Sequence, residues 1–205
     1  MIKAIVFDIG GVLLRTEDRT GRMTLEQKYH LPPGSADQLV FDNPKSQLST
    51  IGQEDASEIW QYIGAHLSLS VAALAAFQEA FWSGDEVDQE LIKFIQTCRS
   101  DYTTALLSNA WTNARDVFAE KYGLIEGKTV DRILISAELG LAKPDHRIYA
   151  VLSETIQHPF QEILFIDDFI ENIEAAAELG IHTIHYQPEM DLISRIKLRL
   201  QNSTR

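Results

Sequence analysis

The amino-acid sequence predicts an α/β protein with a parallel five-stranded sheet and helices on both faces of that sheet. The first observation is that short apolar runs rich in β-branched residues recur along the chain, with longer segments of helical spacing between them. Strands that alternate with helices form βαβ units, which build parallel sheets. The second observation is that the runs are apolar almost throughout, which is typical of strands buried on both faces.

Five runs are predicted to form this sheet, in an open, Rossmann-like arrangement. They are Ala4–Phe7, Thr103–Leu107, Arg132–Ile135, Ile163–Ile166 and Thr183–His185. Apolar residues between the later runs, such as Ile148, Val151 and Leu152, are spaced as on one face of a helix. Gly180 marks the end of the helix that precedes the last run, because glycine adopts the left-handed conformation in which many helices end.

The segment from Arg15 to Ser83 does not continue the alternation. Helical patterns occur around Leu25–Tyr29 and from Val71 to Phe81, and the sequence LPPGS separates them. We therefore expect a helical cap domain, residues 15–83, inserted after the first strand. Residues 1–14 and 84–205 then form the α/β core domain.

Net charge and cysteine content argue against several classes of partner and site. A net charge of −12 argues against nucleic acid or an anionic membrane as the partner, but it allows an anionic small molecule, because a bound metal inverts the local field. Cys98 is the only cysteine, so the chain can form neither an internal disulfide nor a cysteine metal cluster, and a reducing compartment is expected. The apolar start is too short for a signal peptide or a membrane span, which favours a cytoplasmic protein.

Polar side chains stand at the carboxyl ends of the predicted strands. Asp8 follows the first strand, Ser108–Asn109 the second and Asp167–Asp168 the fourth, while Lys143 comes after the third. Ligands of open parallel sheets bind outside the carboxyl ends of the strands, so these residues are expected to converge on one edge. Taken singly, each has an ordinary explanation as a helix cap, a turn residue or a surface lysine.

Together, these residue types indicate phosphoryl chemistry. Carboxylates close together repel one another unless a cation lies among them, and hard oxygen ligands suit Mg²⁺. Asp8 can attack a phosphoryl group and form an aspartyl phosphate, while Mg²⁺, Lys143 and the Ser108 hydroxyl supply positioning and positive charge. The glycines after Asp8, Gly10 and Gly11, allow a sharp turn and bring backbone N–H groups near the phosphate.

Four motifs carry a resemblance to a known family. They are FDIGGVL, LLSNA, LGLAKPDHRIY and ILFIDDFIENIEAA, in this order along the chain. The set resembles the haloacid dehalogenase-like (HAD) superfamily, on its phosphatase side, over residues 1–14 and roughly 84–186. The helical insertion is similar to the family's cap at that position. The chain is similar to the sugar-phosphate phosphatase branch and to the phosphatase domain of soluble epoxide hydrolases.

The resemblance implies roles for individual residues at a magnesium site. Asp8 is the expected nucleophile and a Mg²⁺ ligand, and the backbone carbonyl of Gly10 is a second ligand. Asp168 is the expected third protein ligand, with Asp167 beside it or sharing the metal. Asn172 is expected to orient the metal-binding loop.

The substrate site is expected on the same edge of the sheet. Ser108 and Asn109 bind the phosphoryl group in the family pattern, and Gly11 adds its backbone N–H. Lys143 neutralises Asp8 and the phosphoryl group in transfer. The resemblance therefore implies a Mg²⁺-dependent phosphatase of a small phosphorylated metabolite, with a sugar phosphate as the favoured class.

One position departs from the family pattern. The family's phosphatases carry a second aspartate two residues after the nucleophile, which protonates the leaving oxygen and then activates water. Gly10 occupies that position, and loss of a general acid–base group typically lowers the rate by about 10²–10⁴.

Four interpretations of Gly10 differ in what they predict. The first is a phosphatase for a good leaving group, such as an anomeric sugar phosphate, or one with water or a cap residue (Glu17, Asp18 or His30) as the acid. The second is a 2-haloacid dehalogenase, which needs no acid at that position. Dehalogenases use no metal and lack paired acids, so the pair Asp167–Asp168 weighs strongly against this interpretation. The third is a non-catalytic binding protein with the HAD fold. The fourth, a receiver domain, fails because its acid pair precedes the phosphorylated residue.

Overall fold

The computed structural model describes residues 1–203 and confirms the predicted α/β fold. A parallel five-stranded sheet has the order β5-β4-β1-β6-β7, and a separate antiparallel pair joins β2 to β3. The strands are β1 (Ala4–Phe7), β2 (Leu14–Thr16), β3 (Asp85–Val87), β4 (Thr103–Ser108), β5 (Arg132–Ile135), β6 (Ile163–Asp167) and β7 (His182–His185). Each predicted strand of the main sheet is present, with ends that differ by at most one residue from the prediction.

Helices connect the strands, and those that follow β3 cover the main sheet. They are α1 (Thr20–Lys28), α2 (Ser35–Phe41), α3 (Pro44–Thr50), α4 (Ala56–His66), α5 (Val71–Trp82), α6 (Gln89–Cys98), α7 (Ala114–Tyr122), α8 (Ser136–Leu139), α9 (His146–Ile156), α10 (Ile170–Glu178) and α11 (Leu192–Ser203), with a 3₁₀ turn at Phe160–Glu162. Within residues 1–203, no helix by itself has the length and apolar composition to cross a membrane. The pair α4 and α5 meets both requirements only when combined, and it is bent by 113°.

The main sheet is buried on both faces. Ile5 and Phe7 of β1 belong to one hydrophobic cluster with residues of α6 and α11, whereas Ala4 and Val6 belong to a second cluster with residues of α9 and α10. Successive side chains of a strand point to opposite faces, so a strand covered on both sides must be apolar at every position. This burial explains the continuous apolar runs in the sequence.

The segment between β2 and β3 contains five helices, α1 to α5, and its own hydrophobic cluster. Ile59, Ile63 and Phe77 lie at the centre of that cluster and are fully buried. At its base, β2 pairs with β3, with Arg15 opposite Glu86. The predicted boundary after residue 14 therefore falls within β2, and the division into core and cap stays a prediction. The last two residues of the predicted core, 204 and 205, lie outside the described residues.

Candidate active site

Strand register places three of the predicted site residues at one edge of the sheet. In β1, Phe7 pairs with Leu106 of β4 and with Ile166 of β6, so Asp8 lies one residue beyond both pairings. Ser108 and Asp167 end those two neighbouring strands. Because the strands are parallel, their carboxyl ends meet at this edge, and the sequence predicted this convergence.

Three carboxylates and one ammonium group form the centre of the site. Asp8, Asp167 and Asp168 each offer an oxygen within 4.8 Å of the others. Lys143 is buried between two of them, with Nζ 2.9 Å from Oδ1 of Asp8 and 2.7 Å from Oδ2 of Asp167. Burial lowers the pKa of Lys143, but the two carboxylates outweigh that effect and raise it, so the group stays charged. One ammonium group thus faces three acids.

The two oxygens of Asp8 have different surroundings. Oδ1 accepts hydrogen bonds from the Ile9 backbone N–H at 2.7 Å and from Lys143. No hydrogen bond reaches Oδ2 from any residue within 1–203. Burial, opposed by Lys143 and reinforced by Asp167, raises the pKa of Asp8 to about 7. Added positive charge near this carboxylate would favour its ionised form.

Asp167 is held on both oxygens by protein donors. Its Oδ1 accepts from the Phe169 backbone N–H at 2.8 Å and from Asn172 Nδ2 at 3.0 Å, while Oδ2 accepts from Lys143 and, at 3.1 Å, from Asn172. Asp167 is fully buried and Asn172 nearly so. These bonds leave Asp167 little capacity to bind a metal directly, and they place Asn172 against this loop.

Asp168 faces the opposite situation, because its carboxylate accepts no hydrogen bond from another residue within 1–203. Its Oδ1 is buried and has no hydrogen-bond partner among the described residues. Burial, reinforced by Asp167, raises the pKa of this carboxyl group. A buried, unpaired carboxylate oxygen is costly, which points to a ligand outside the protein.

Gly11 makes room for Asp168. Its φ is +73°, and a Cβ atom built there would lie 2.0 Å from Oδ2 of Asp168. The Gly11 N–H donates to the Leu14 carbonyl at 2.9 Å. A turn hydrogen bond thus occupies this N–H in this conformation, and its expected contact with the phosphate stays a prediction. Glycine is needed here for its conformation and for the space it leaves.

Ser108 and Asn109 differ in what their side chains do. The Ser108 hydroxyl makes no hydrogen bond among the described residues and stands at the end of β4. Asn109 instead forms a reciprocal pair with the backbone of Lys143, since Nδ2 donates to its carbonyl and Oδ1 accepts from its N–H, both at 2.8 Å. Asn109 therefore fixes Lys143, and Ser108 offers the open hydroxyl.

Gly10 is exposed and sterically open. A Cβ atom built on it meets nothing within 4 Å, and its backbone lies outside the left-handed region. Two of the suggested cap acids have hydrogen-bond partners of their own: Glu17 accepts from Arg15, and Asp18 accepts from the Thr20 N–H. The fold therefore does not require glycine at position 10.

The donor set fits Mg²⁺. Asp168 Oδ1 is a hard oxygen donor without a protein partner among residues 1–203, and the Asp8 carboxylate lies within 4.8 Å of the Asp168 carboxylate. The Gly10 carbonyl accepts no hydrogen bond within residues 1–203. Mg²⁺ is bound through one or two carboxylates together with waters and substrate phosphate. Asp8, Asp168 and the Gly10 carbonyl are therefore the residues that could hold the ion.

His185 lies beside this site, although the sequence analysis did not select it as a site residue. Its Nε2 lies 2.9 Å from the Asp168 carbonyl oxygen. The one available signal was its position at the carboxyl end of the last strand, where the other site residues also lie. Sequence spacing alone does not show that its ring turns toward the neighbouring loop.

Two relatives are similar in sequence to this chain, one over nearly its whole length and the other over about a third of its length. The chain is 28% identical over 206 residues to D-ribitol-5-phosphate phosphatase of Bacteroides thetaiotaomicron, covering 92% of this chain and 93% of that protein. It is 24% identical over 188 residues to bifunctional epoxide hydrolase 2 of Rattus norvegicus, covering 86% of this chain. The chain spans only about a third of the length of that rat protein, 33%.

Solved structures and a family model agree with the fold. A predicted HAD-like family hydrolase from Porphyromonas gingivalis superposes with a TM-score of 0.78 at 26% identity, covering 98% of both chains. A HAD family enzyme of Bacteroides thetaiotaomicron, solved with magnesium and inorganic phosphate, shares the fold with a TM-score of 0.70 at 22% identity, covering 93% of this chain and 97% of that one. The family model of haloacid dehalogenase-like hydrolases matches residues 2–180. The chain belongs to the haloacid dehalogenase-like hydrolases.

Proposed function

We propose that the chain is a Mg²⁺-dependent phosphatase that hydrolyses a small phosphorylated metabolite through an aspartyl phosphate on Asp8. The observation that carries this proposal is the difference in surroundings between the two carboxylate oxygens of Asp8. Lys143 and the Ile9 N–H hold Oδ1, while Oδ2 has no hydrogen bond within residues 1–203. A carboxylate with one fixed oxygen and one open oxygen is oriented for nucleophilic attack.

The first step transfers the phosphoryl group to the protein. A lone pair of Asp8 Oδ2 forms a bond to phosphorus, and the bond from phosphorus to the ester oxygen breaks with its electron pair. The ester oxygen leaves and takes a proton from water. Lys143 keeps Asp8 oriented, and the Ser108 hydroxyl donates to a phosphoryl oxygen.

The second step releases the phosphate. Water attacks phosphorus, gives up its proton to solvent, and the bond from phosphorus to Asp8 Oδ2 breaks, which restores the carboxylate and frees inorganic phosphate. When bound by Asp8, Asp168 and the Gly10 carbonyl, Mg²⁺ supplies positive charge that neutralises the phosphoryl oxygens. The buried, unpaired Oδ1 of Asp168 supports this assignment.

A phosphorylated sugar or polyol is the proposed substrate class. The name of the relative that matches over 93% of its length, D-ribitol-5-phosphate phosphatase, supports this class. Gly10 supports an anomeric phosphate within it, because an anomeric oxygen is a better leaving group than an ordinary alcohol oxygen and depends less on a positioned acid.

We propose that residues 15–83 act as a cap over this edge of the sheet. Trp111, which follows the Ser108–Asn109 loop, contacts three aromatic residues of the helical segment, with ring centroids 5.7 Å from Phe41, 6.2 Å from Trp60 and 6.1 Å from Trp82. These contacts would form when the cap closes, excluding water from the phosphoryl group during transfer.

Phosphate release with and without Mg²⁺ tests the proposed function. The substrates are p-nitrophenyl phosphate, anomeric sugar phosphates, primary sugar and polyol phosphates, and a 2-haloacid with halide release as its readout. We expect Mg²⁺-dependent phosphate release that is lost in Asp8→Asn and retained in the exposed control Asp116→Asn. Halide release, or phosphate release that survives Asp8→Asn, would contradict the proposal.

A further inference from the structure

We infer that His185 is a positioning residue for the metal-binding loop, and that it fixes Asp168 by donating a hydrogen bond from Nε2 to the Asp168 backbone carbonyl. This inference rests on the proposed Mg²⁺ site. The two atoms are 2.9 Å apart. A carbonyl oxygen accepts but never donates, so Nε2 carries the proton in this contact.

The position of His185 beside Asp168 follows from the register of β7 against β6. His185 pairs with Asp167 in the parallel ladder, and the Tyr186 N–H extends that ladder by donating to the Asp167 carbonyl at 2.8 Å. Asp168 is the next residue and lies in a bend outside β6, where no described strand donates a backbone hydrogen bond to its carbonyl. The imidazole ring reaches past the end of the ladder to this carbonyl.

Asp168 depends on this backbone contact more than Asp167 does. Three different residues hold the carboxylate of Asp167, whereas no other residue within 1–203 donates a hydrogen bond to the carboxylate of Asp168. The direction of the Asp168 side chain is therefore set by its backbone. That backbone is fixed on one side by His185, while the opposing Gly11 leaves the carboxylate only a narrow space.

Residues that orient metal ligands from outside the ligand set typically change metal affinity by about 10–100-fold when they are replaced. His185→Leu removes the donor, and His185→Gln keeps an amide donor at a similar reach. His182→Gln is the matched control, because His182 lies at the other end of the same strand. If His185→Leu does not fold, His185→Asn serves instead, since its shorter side chain cannot reach the carbonyl.

The measurement is Mg²⁺ binding without substrate, by calorimetry and by the Mg²⁺-dependent rise in the thermal unfolding midpoint. We expect His185→Leu to weaken Mg²⁺ binding by about tenfold or more, His185→Gln to stay within about threefold of wild type, and His182→Gln to match wild type. At saturating Mg²⁺, kcat of His185→Leu should recover most of the wild-type value. Wild-type affinity in His185→Leu, or equal losses in His185→Leu and His185→Gln, would overturn the inference. Absence of Mg²⁺ binding by the wild type would instead overturn the proposed function.

Discussion

The ammonium of Lys143 lies 2.9 Å from Oδ1 of Asp8, the same oxygen that accepts the Ile9 N–H, so both protein donors act on one side of this carboxylate. The other oxygen, Oδ2, accepts no hydrogen bond within residues 1–203 and is the proposed nucleophilic atom. Asn109 holds the Lys143 backbone, and Asp167 holds the Lys143 ammonium. The orientation of the proposed nucleophile therefore depends on a short chain of buried contacts.

Replacement of Lys143 by methionine should cost both stability and activity. Removing one partner of a buried ion pair typically costs about 3–5 kcal/mol, because the remaining charges are left unpaired. Protonation of Asp8 at low pH relieves part of that cost, so the loss of stability should be larger at pH 8 than at pH 5. Denaturant unfolding at both pH values measures it, and a loss independent of pH would contradict this account. Phosphate release should fall by about 10² or more.

Asp8→Asn should stabilise the protein when Mg²⁺ is removed by a chelator. The pKa of Asp8 is raised from 3.8 to about 7 in the folded state, chiefly by burial. As pH rises from about 4 to about 7, the unfolded chain gives up this proton first, so the wild-type protein loses stability over that range. The gain in Asp8→Asn should therefore be largest above pH 7, at least about 1 kcal/mol or roughly 2–4 °C in Tm.

Thermal unfolding with excess chelator at several pH values checks this prediction, with Asp116→Asn as the surface control. If Asp8→Asn raises Tm by the same amount at pH 4 and at pH 8, the charge of Asp8 is not the cause of the stabilisation. A loss of stability above pH 7 would contradict the sign of the effect.

Gly11→Ala should damage the site, whereas Gly10→Ala should leave the stability of the fold unchanged. Alanine at φ +73° costs about 1–2 kcal/mol, and its Cβ atom would displace the Asp168 carboxylate. At Gly10 the same methyl group meets open space, so a change within about 0.5 kcal/mol is expected. Unfolding free energies of the two variants, and Mg²⁺ binding by Gly11→Ala, provide the test. Equal stabilities, or wild-type Mg²⁺ binding in Gly11→Ala, would contradict it.

Gly10→Asp should raise activity on poor leaving groups. The position is open and its backbone accepts a side chain, so we expect an added carboxyl group to supply the acid that the family pattern has at this position. A gain of about 10² on primary phosphate esters is expected, with little change on p-nitrophenyl phosphate, which leaves without a proton. Gly10→Asn, of equal size but without an acid, is the control. An equal gain in both variants, or none in Gly10→Asp, would show that a missing acid does not limit the reaction.

The sequence predicted the main sheet and the convergence at its edge for a physical reason. Buried parallel strands must be apolar at every position, so the polar residues Asp8, Ser108 and Asp167 stand out where each strand ends. Their approach to one another then follows from the parallel topology. Lys143 could be placed near them because it follows the third strand of that sheet.

Other contacts could not be predicted because they depend on loop conformation. The strands β2 and β3 have three residues each and no apolar run, and their pairing depends on where the helical segment brings its two ends. The bond of Asn109 to the Lys143 backbone joins two loops, and the bond of His185 to the Asp168 carbonyl joins the end of β7 to the loop after β6. Gly11 matters through its distance from Asp168, which appears only in three dimensions.

We expect Asp8 to become phosphorylated during turnover. Since Gly10 cannot activate water for the second step, the aspartyl phosphate should accumulate. The most direct measurement is mass spectrometry of protein quenched in acid during steady-state turnover of p-nitrophenyl phosphate with Mg²⁺. We predict one added phosphoryl group on the peptide that contains Asp8, together with a burst of p-nitrophenol. An unmodified peptide without a burst during demonstrated turnover, or the same modification in Asp8→Asn, would contradict the claim.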